Sequence, residues 1–396
     1  MPITPWIKLI SFYRLNTVFT SQNKIPSPDI GLDFEEIVQS HGYPFEEYSV
    51  TTPDGYILRL FRIPHGQNDT YIQGRPVVIL QHGIVEPSDC YIVRGTYLSP
   101  AFYLANNGYD VWAPNSRGST YGQNHTTLDP TDPYFYEFSF TDLVLDLQAN
   151  IEFILNQTGL PRLSYFGANS AATTMFVGLI RENQWFIDRV NLFISFGAIV
   201  RVDYMYDPYA VAYQNPLPLQ MLRRFNITRF PPAGEYFRNI GAWIWQAFPP
   251  LCQVTITSIA INDTGNVNEE ASESFQSRLP SPTSLKLVEH LGQIYASGRF
   301  QDYDYGFETN AAIYGTELPP EFDLTQITGV PVAILKGELD FETEDRDNQW
   351  LIQQIQDIVV FNRTYEGYGH YDLFIAEDTT VYLDDVIDLL QQYDQG

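Results

Sequence analysis

The chain has 396 residues, of which 44% are hydrophobic and 15% aromatic, and its formal net charge is −26. This length and hydrophobic content are sufficient for one large α/β domain with an inserted subdomain. The charge argues against binding to nucleic acids or to anionic membranes, because both need a basic surface. It is typical of a protein that stays soluble at high concentration.

Two cysteines, Cys90 and Cys252, are too few for a disulfide framework, and they do not indicate whether the protein is secreted or intracellular. Six Asn-x-Ser/Thr triplets spread along the chain favour a secreted glycoprotein. These acceptors are Asn68, Asn124, Asn156, Asn226, Asn262 and Asn362. The first 21 residues are interrupted by Lys8 and Arg14 and lack the apolar run of a signal peptide. No stretch approaches ~20 uninterrupted apolar residues, so no membrane span is predicted.

The first part of the chain predicts alternating strands and helices. Residues 1–32 show little periodicity and are interpreted as a tail, and residues 45–64 predict two strands joined by a Pro-Asp-Gly turn. Further strands are expected within 75–81, 109–113, 163–166 and 192–200, with helices at 101–107 and 140–155. This alternation of buried strands and helices predicts a mostly parallel, doubly wound sheet.

The texture changes after residue 201. Residues 202–322 are rich in proline and aromatic residues and predict an inserted, mainly helical cap. The sheet is expected to resume at 331–335, to end at 359–361, and to be followed by a closing helix at 381–393. The predicted organisation is therefore a core made of residues 33–201 and 323–396 with the cap inserted between them.

The segment Leu163–Phe176 predicts a strand, a tight turn and a helix, which is the context of a nucleophile elbow. An elbow normally reads Gly-x-Ser-x-Gly, because the turn is strained and its backbones pass close together. Here residues 167–171 read Gly-Ala-Asn-Ser-Ala. Asn169 stands in the place of serine, and an asparagine has no hydroxyl with which to form an acyl-enzyme.

Two further residues complete the chain order of an α/β-hydrolase triad, which is nucleophile, acid and then base. Asp340 follows a buried strand, and His370 lies between the last strand and the last helix. In this interpretation Asp340 orients the His370 ring, which takes the proton of the nucleophile. The turn formed by His82, Gly83 and Ile84 follows another buried strand and fits an oxyanion hole built from backbone N–H groups.

Several strings, in the right order from about residue 33 to the end, resemble the acid lipases, the gastric and lysosomal type of α/β-hydrolase. They include Asp-Gly-Tyr-Ile-Leu (54–58), Gln-His-Gly (81–83), Gly-Tyr-Asp-Val-Trp (108–112), Asn-Ser-Arg-Gly (115–118) and Glu-Phe-Ser-Phe (137–140). The resemblance implies an α/β-hydrolase fold with a cap, and it implies that Ile84 and Ser170 supply the oxyanion N–H groups.

The chain departs from this family at the elbow, where the family has Gly-His-Ser-Gln-Gly. The family's spacing from Thr158 and Gly159 places the nucleophile at Asn169, so that Ser170 falls on the oxyanion glutamine. A rival alignment with one inserted residue makes Ser170 the nucleophile and leaves Asp340 and His370 in their roles. The family's cap disulfide is also not matched. Cys252 resembles one half of it, and Trp243 stands where the other half is expected.

These observations predict a secreted, lipase-like pseudoenzyme with no metal and no catalytic cofactor. It is expected to carry or store a hydrophobic ligand, such as a lipid, sterol, carotenoid or tetrapyrrole pigment, or to be a yolk-type storage protein. The expected pocket residues are His82, Gly83, Ile84, Cys90, Asn169 and His370. Cys90 is interpreted as an inert buried thiol, with ligand attachment as the alternative.

Two other functions remain open at this point. One is an active lipase or esterase that uses Ser170, His370 and Asp340. The other is a structural subunit that uses its altered cap in a homo- or hetero-oligomer.

Overall fold

The computed structural model describes residues 27–205, 217–231 and 265–394. Its strands are β1 (Glu46–Thr51), β2 (Tyr56–Ile63), β3 (Val77–Gln81), β4 (Asp110–Pro114), β5 (Asn124–His125), β6 (Leu163–Ala168), β7 (Val190–Phe196), β8 (Arg229–Phe230), β9 (Thr283–Ser284), β10 (Val332–Gly337) and β11 (Val359–Tyr365). Its helices are α1 (Phe34–Ser40), α2 (Pro100–Asn106), α3 (Phe140–Thr158), α4 (Ser170–Arg181), α5 (Asn183–Ile187), α6 (Leu217–Arg224), α7 (Glu269–Gln276), α8 (Leu285–Ser297), α9 (Phe307–Tyr314), α10 (Asp345–Gln354), α11 (Asp372–Ile375) and α12 (Thr380–Tyr393). Short 3-10 helices lie at Ser88–Tyr91, Thr96–Leu98, Pro133–Tyr136 and Leu324–Gln326.

One large mixed sheet organises the described residues. Its strand order is β1-β2-β4-β3-β6-β7-β10-β11, and β5 also pairs with β2. The strands from β4 to β11 in this order run parallel, whereas β1 and β2 pair antiparallel at one edge. Every residue of β3, β4, β6 and β10 is buried, as expected for parallel strands that helices cover on both faces. The predicted α/β-hydrolase fold class is confirmed.

The hydrophobic core is divided by the sheet into two clusters. One cluster packs α1, α2 and α12 against the sheet through side chains such as Phe34, Phe102 and Leu390. The other packs α3 and α4 against it through side chains such as Ile151 and Phe176. The two layers of helices fix the parallel strands, and the loops at the strands' carboxyl ends are then held in place to form a site.

Strand β7 ends earlier than the sequence predicts. The sequence predicts a strand within 192–200, but β7 stops at Phe196 and Gly197 follows with a φ of 60°. A Cβ at Gly197 would lie 3.1 Å from Cε1 of His370 and 3.2 Å from Oδ2 of Asp340. The strand therefore ends at Phe196, although the apolar run continues, because the chain turns at Gly197 next to these two side chains.

Parts of the predicted tail and cap lie outside the described residues. These include Trp243, Cys252 and the glycosylation acceptor Asn262. The described part of the cap region contains α6 to α9 and the two-stranded pair of β8 with β9. The other five acceptor asparagines are all exposed, namely Asn68, Asn124, Asn156, Asn226 and Asn362. Their exposure makes them accessible to a glycosylating enzyme. That they carry glycans stays a prediction.

A buried ion cluster ties the β1–β2 turn to helix α3. The guanidinium of Arg117 donates to Asp146 at 2.8 Å and to Asp54 at 2.5 and 3.0 Å, and it lies 4.0 Å from the Tyr56 ring centroid. Its backbone N–H also donates to Asp146 at 2.8 Å. Arg117 belongs to one of the strings that resemble the acid lipases, and this cluster gives that string a structural role.

Substitution of Arg117 by methionine is expected to reduce the free energy of unfolding by about 3–5 kcal/mol, because Asp146 would keep a buried charge without its partner. The matched control is Glu47→Gln, which weakens the half-exposed pair of Glu47 with Arg59 and should cost less than about 1 kcal/mol. Urea unfolding measures both variants. Equal losses would contradict a structural role for the buried cluster.

Candidate functional site

The elbow between β6 and α4 places Asn169 at the carboxyl edge of the sheet. Asn169 has φ 54° and ψ −125°, a conformation that few residues other than glycine adopt. The turn is close-packed, since a Cβ at Gly167 would lie 3.0 Å from the backbone nitrogen of Ala172. Small residues are needed here for the reason that the sequence predicts, because the strand and the helix approach each other too closely for side chains.

The Asn169 side chain is buried and contacts three groups. Its Oδ1 accepts a hydrogen bond from the Ser170 backbone N–H at 2.5 Å. Its Nδ2 lies 2.7 Å from Nε2 of His370 and 3.0 Å from Oε2 of Glu342. An amide therefore stands where the base of a triad would meet its nucleophile.

Asp340 and His370 come together as the triad order predicts. Nδ1 of His370 lies 2.9 Å from Oδ2 of Asp340, which also accepts from the Thr343 hydroxyl at 2.6 Å. Burial alone would raise the pKa of Asp340, but the positive charge of His370 and these hydrogen bonds outweigh it and lower that pKa to about 2. Asp340 is thus a charged carboxylate that fixes the orientation of the His370 ring.

The charge around His370 is strongly negative. Burial alone lowers the pKa of its imidazole, but the charges of Asp340, Glu342 and Glu86, with the hydrogen bond to Asp340, outweigh burial and raise that pKa to about 10. The Asn169 amide acts in the opposite direction, because its N–H can donate to Nε2 only while this nitrogen carries no proton. The imidazole is therefore under two opposed constraints.

The two buried glutamates of the site were not found by the sequence analysis. Glu342 lies 3.6 Å from Nε2 of His370 and 3.5 Å from the Tyr371 hydroxyl, and burial raises the pKa of its carboxyl. Glu86 accepts from the backbone N–H of Gly83 at 2.9 Å, and burial raises its pKa to about 7. The one available signal was a glutamate directly after the apolar turn at residues 83–85, and no motif distinguishes it from a surface residue.

One of the two backbone donors expected to form an oxyanion hole, the Ser170 N–H, already has an acceptor within the chain, and so has the N–H of Gly83, the residue before Ile84. The Ser170 N–H donates to Asn169, and the Gly83 N–H donates to Glu86. An oxyanion hole needs donors aimed at the charge that develops on the substrate. Two of the N–H groups in this region are instead held by side chains of the protein itself.

A small cavity lies behind the elbow. Its volume is about 20 Å³, and it is lined by His82, Gly83, Ile84, Ser170, Arg117 and residues of α3 and α4. Asn169 and His370, which were also expected in the pocket, do not line it. This volume holds about one water molecule and is far too small for a lipid. Nε2 of His82 accepts from the Ser116 N–H at 3.1 Å, and burial lowers the His82 pKa to about 4. His82 is therefore a neutral residue that fixes the turn.

The position of Cys90 does not agree with a pocket or attachment role. Its side chain is fully buried in the hydrophobic core on the α2–α12 side of the sheet and does not line the cavity. Burial also raises the pKa of its thiol well above the usual value, which suppresses the reactive thiolate. The structure thus corrects the expectation that Cys90 lies in the pocket, because the segment after the oxyanion turn folds inward as a buried 3-10 helix.

Ser170 is the first residue of α4 and lies beyond the strained elbow position. The described contact of Nε2 of His370 at the elbow is with Asn169, one residue earlier.

Among the described residues, no helix is both long and apolar enough to cross a membrane. Within the same ranges, no three His, Cys, Asp or Glu side chains are grouped so that they could hold a metal ion.

Comparison with known proteins agrees with this geometry. A family model described as "Partial alpha/beta-hydrolase lipase region" matches residues 34–95. Rat gastric triacylglycerol lipase (Rattus norvegicus) is 31% identical over 357 residues, which cover 89% of each chain. Lipase member K from Homo sapiens is 30% identical over 377 residues, which cover 93% of each chain. The chain belongs to the acid lipase family.

Other comparisons extend this assignment. Human lysosomal acid lipase/cholesteryl ester hydrolase is 30% identical to the present chain over 373 residues, which cover 92% of each chain. A soluble variant of monoglyceride lipase from Saccharomyces cerevisiae has a TM-score of 0.56 at 15% identity and covers 88% of this chain and 97% of its own. Epoxide hydrolase VrEH1 from Vigna radiata has a TM-score of 0.53 at 15% identity, covering 88% of this chain and 99% of its own. These two structures share the fold.

We expect Glu86→Gln to stabilise the protein at neutral pH, since the pKa of Glu86 rises from 4.5 to about 7 on folding. Below pH 4.5 the carboxyl is protonated in both states, and between pH 4.5 and 7 the folded state alone keeps its proton. The gain should therefore grow over this interval to roughly 3 kcal/mol. Chemical denaturation at several pH values measures it. The exposed Glu152→Gln serves as the control, and a gain independent of pH would contradict the assigned burial cost.

Proposed function

We propose that this acid lipase relative does not form a serine acyl-enzyme and that it binds a hydrophobic ligand instead of hydrolysing it. The observation that carries the proposal is the contact of the Asn169 amide with Nε2 of His370 at 2.7 Å. The position from which a hydroxyl would attack an ester is filled by a group that cannot become an alkoxide.

The state of the oxyanion region supports the same proposal. The amide oxygen of Asn169 and the carboxylate of Glu86 accept the hydrogen bonds of Ser170 and Gly83. Loss of oxyanion donors typically reduces turnover by about 10²–10³-fold, independently of the nucleophile. Asn169 thus both replaces the hydroxyl and occupies an expected oxyanion donor, the Ser170 N–H.

The proposed ligand class follows from the relatives. One of them is named a triacylglycerol lipase and another an acid lipase/cholesteryl ester hydrolase, and both are matched over about nine-tenths of this chain. We therefore propose a neutral ester lipid as the first candidate ligand, ahead of a carotenoid or a tetrapyrrole pigment, and we place it outside the cavity behind the elbow, which is too small for a lipid. The exposed acceptor asparagines and the charge of −26 support secretion in an abundant soluble form.

A fluorophosphonate probe, which labels activated serines, tests the loss of serine chemistry. The native protein is expected to stay unlabelled while an active gastric lipase is labelled in parallel. Asn169→Ser should gain labelling at residue 169, because its hydroxyl would lie within reach of His370. Labelling of Ser170 in the native protein, abolished by Ser170→Ala and kept in Asn169→Ala, would instead identify an active hydrolase.

Lipid extraction of the native protein, purified without detergent, tests ligand binding. Mass spectrometry of the extract is expected to show a neutral ester lipid in amounts comparable to the protein, and an absorption spectrum reports any pigment. A secreted protein of another fold, purified from the same material, controls for carried-over lipid. Equal lipid in both samples would overturn the carrier proposal and favour storage or subunit roles.

A further inference from the structure

The Asn169 side chain can pair with a neutral His370, but it cannot pair with a His370 that carries a proton on Nε2. Its Oδ1 is required by the Ser170 N–H at 2.5 Å, which leaves Nδ2 facing Nε2 of His370 at 2.7 Å. If Nε2 carries a proton, two donors face each other. If the amide is turned over, Nδ2 instead faces the N–H of Ser170, and again two donors meet.

The surroundings favour the protonated imidazole that creates this conflict. Asp340 lies 2.9 Å from Nδ1 of His370, and Glu342 lies 3.6 Å from Nε2. Glu86 adds a third carboxyl whose charge acts on the same ring. Nearby negative charge stabilises an imidazolium, so the site favours the form of His370 with which an amide cannot pair.

A carboxylate at position 169 would satisfy every one of these contacts. One oxygen would accept from the Ser170 N–H and the other from Nε2–H of His370, because a carboxylate is an acceptor only. Glu342 could donate to it after taking up a proton, and burial raises the pKa of that carboxyl. The backbone conformation at position 169 is compatible with aspartate, since aspartate, like asparagine, tolerates a positive φ better than most residues. The site is therefore more complementary to aspartate than to asparagine.

The groups around Asn169 are also those that hydrolysis of its amide to a carboxylate would need. The amide carbonyl is polarised by the Ser170 N–H at the start of α4, where the helix dipole favours negative charge. The amide nitrogen contacts His370, a proton donor, and Glu342, a proton acceptor. A cavity with room for about one water molecule is lined by Ser170, the residue after Asn169, although Asn169, His370 and Glu342 do not line it.

We propose that Asn169 is a self-processing residue, whose side-chain amide the site hydrolyses to leave aspartate at position 169. Water forms the new Cγ–O bond and gives its proton to the Glu342 carboxylate. The Cγ–Nδ2 bond breaks, and its electron pair leaves with nitrogen, which takes the proton of Nε2 of His370. One water is consumed and one ammonia released. The new carboxyl then protonates His370, and the resulting carboxylate pairs with the imidazolium.

This inference goes beyond ligand binding and is tested separately from it. The reaction is read from the covalent state of residue 169, whereas serine labelling and lipid extraction report on other properties. The proposed function concerns the asparagine form of the protein. Failure of either proposal leaves the result for the other interpretable.

The experiment is incubation of the folded full-length protein in water enriched in heavy oxygen, followed by peptide mass spectrometry. We expect the peptide containing residue 169 to become aspartate with one heavy oxygen in the side chain and no isoaspartate. Denatured protein should lose this reaction. His370→Gln and Glu342→Gln should slow it by about 100-fold or more, the size of a general acid or base contribution.

Asn107, which is exposed and precedes Gly108, is an internal control. It reacts through its own backbone as a cyclic imide and should be unaffected by either substitution. The proposal is overturned if residue 169 stays an amide while Asn107 converts. It is also overturned if residue 169 yields isoaspartate, or if it reacts equally fast in the denatured chain or in folded His370→Gln. Unfolding curves establish that each variant is folded.

Discussion

The close approach of strand β6 to helix α4 is the constraint on which the rest of the site depends. Gly167 and Ala172 come so near that no larger side chain fits at position 167, and the chain can turn there only if Asn169 takes a positive φ. This turn projects the Asn169 side chain toward the loops after β10 and β11, which carry Asp340 and His370. The strain of the elbow is maintained because the buried strands and two helical layers hold both of its ends.

The fold brings Asp340 and His370 together beside Asn169 at the elbow. Asp340 still orients His370, and the turn at residues 82–84 still lies beside the elbow. The chain belongs to the acid lipase family, and solved structures at about 15% identity share its fold. Function has to be argued from the site and not from the fold, since one fold supports many chemistries.

The site differs from a simple deletion of the nucleophile. A triad that had only lost its hydroxyl would leave its remaining groups without new partners. Here Asn169 binds both His370 and Glu342, and Glu86 holds the Gly83 N–H. Buried carboxyls are costly unless they are paired or protonated. Their convergence on one imidazole therefore makes the surroundings of His370 strongly negative and raises its pKa.

The sequence by itself determined the fold class, the elbow and the order of Asp340 and His370. Alternating buried strands and helices define a parallel sheet, and small residues at a strand end mark a tight turn, so these features can be recognised locally. The hairpin of β1 with β2 and the closing helix α12 lie close to their predicted bounds. The sequence did not predict the end of β7 at Phe196, because an apolar run does not show where the backbone turns.

Only the tertiary structure decided which groups surround Asn169. Glu86 and Glu342 are far apart in the chain and belong to no motif. They follow β3 and β10, which are separated in the sheet by β6 and β7, and both act on His370 because parallel strands bring their following loops to the same edge of the sheet. The burial of Cys90 and the acceptors of the Ser170 and Gly83 N–H groups likewise depend on how loops fold over the sheet. Burial and proximity, which set the charge of each group, are properties of the packed molecule and cannot be derived from residue spacing alone.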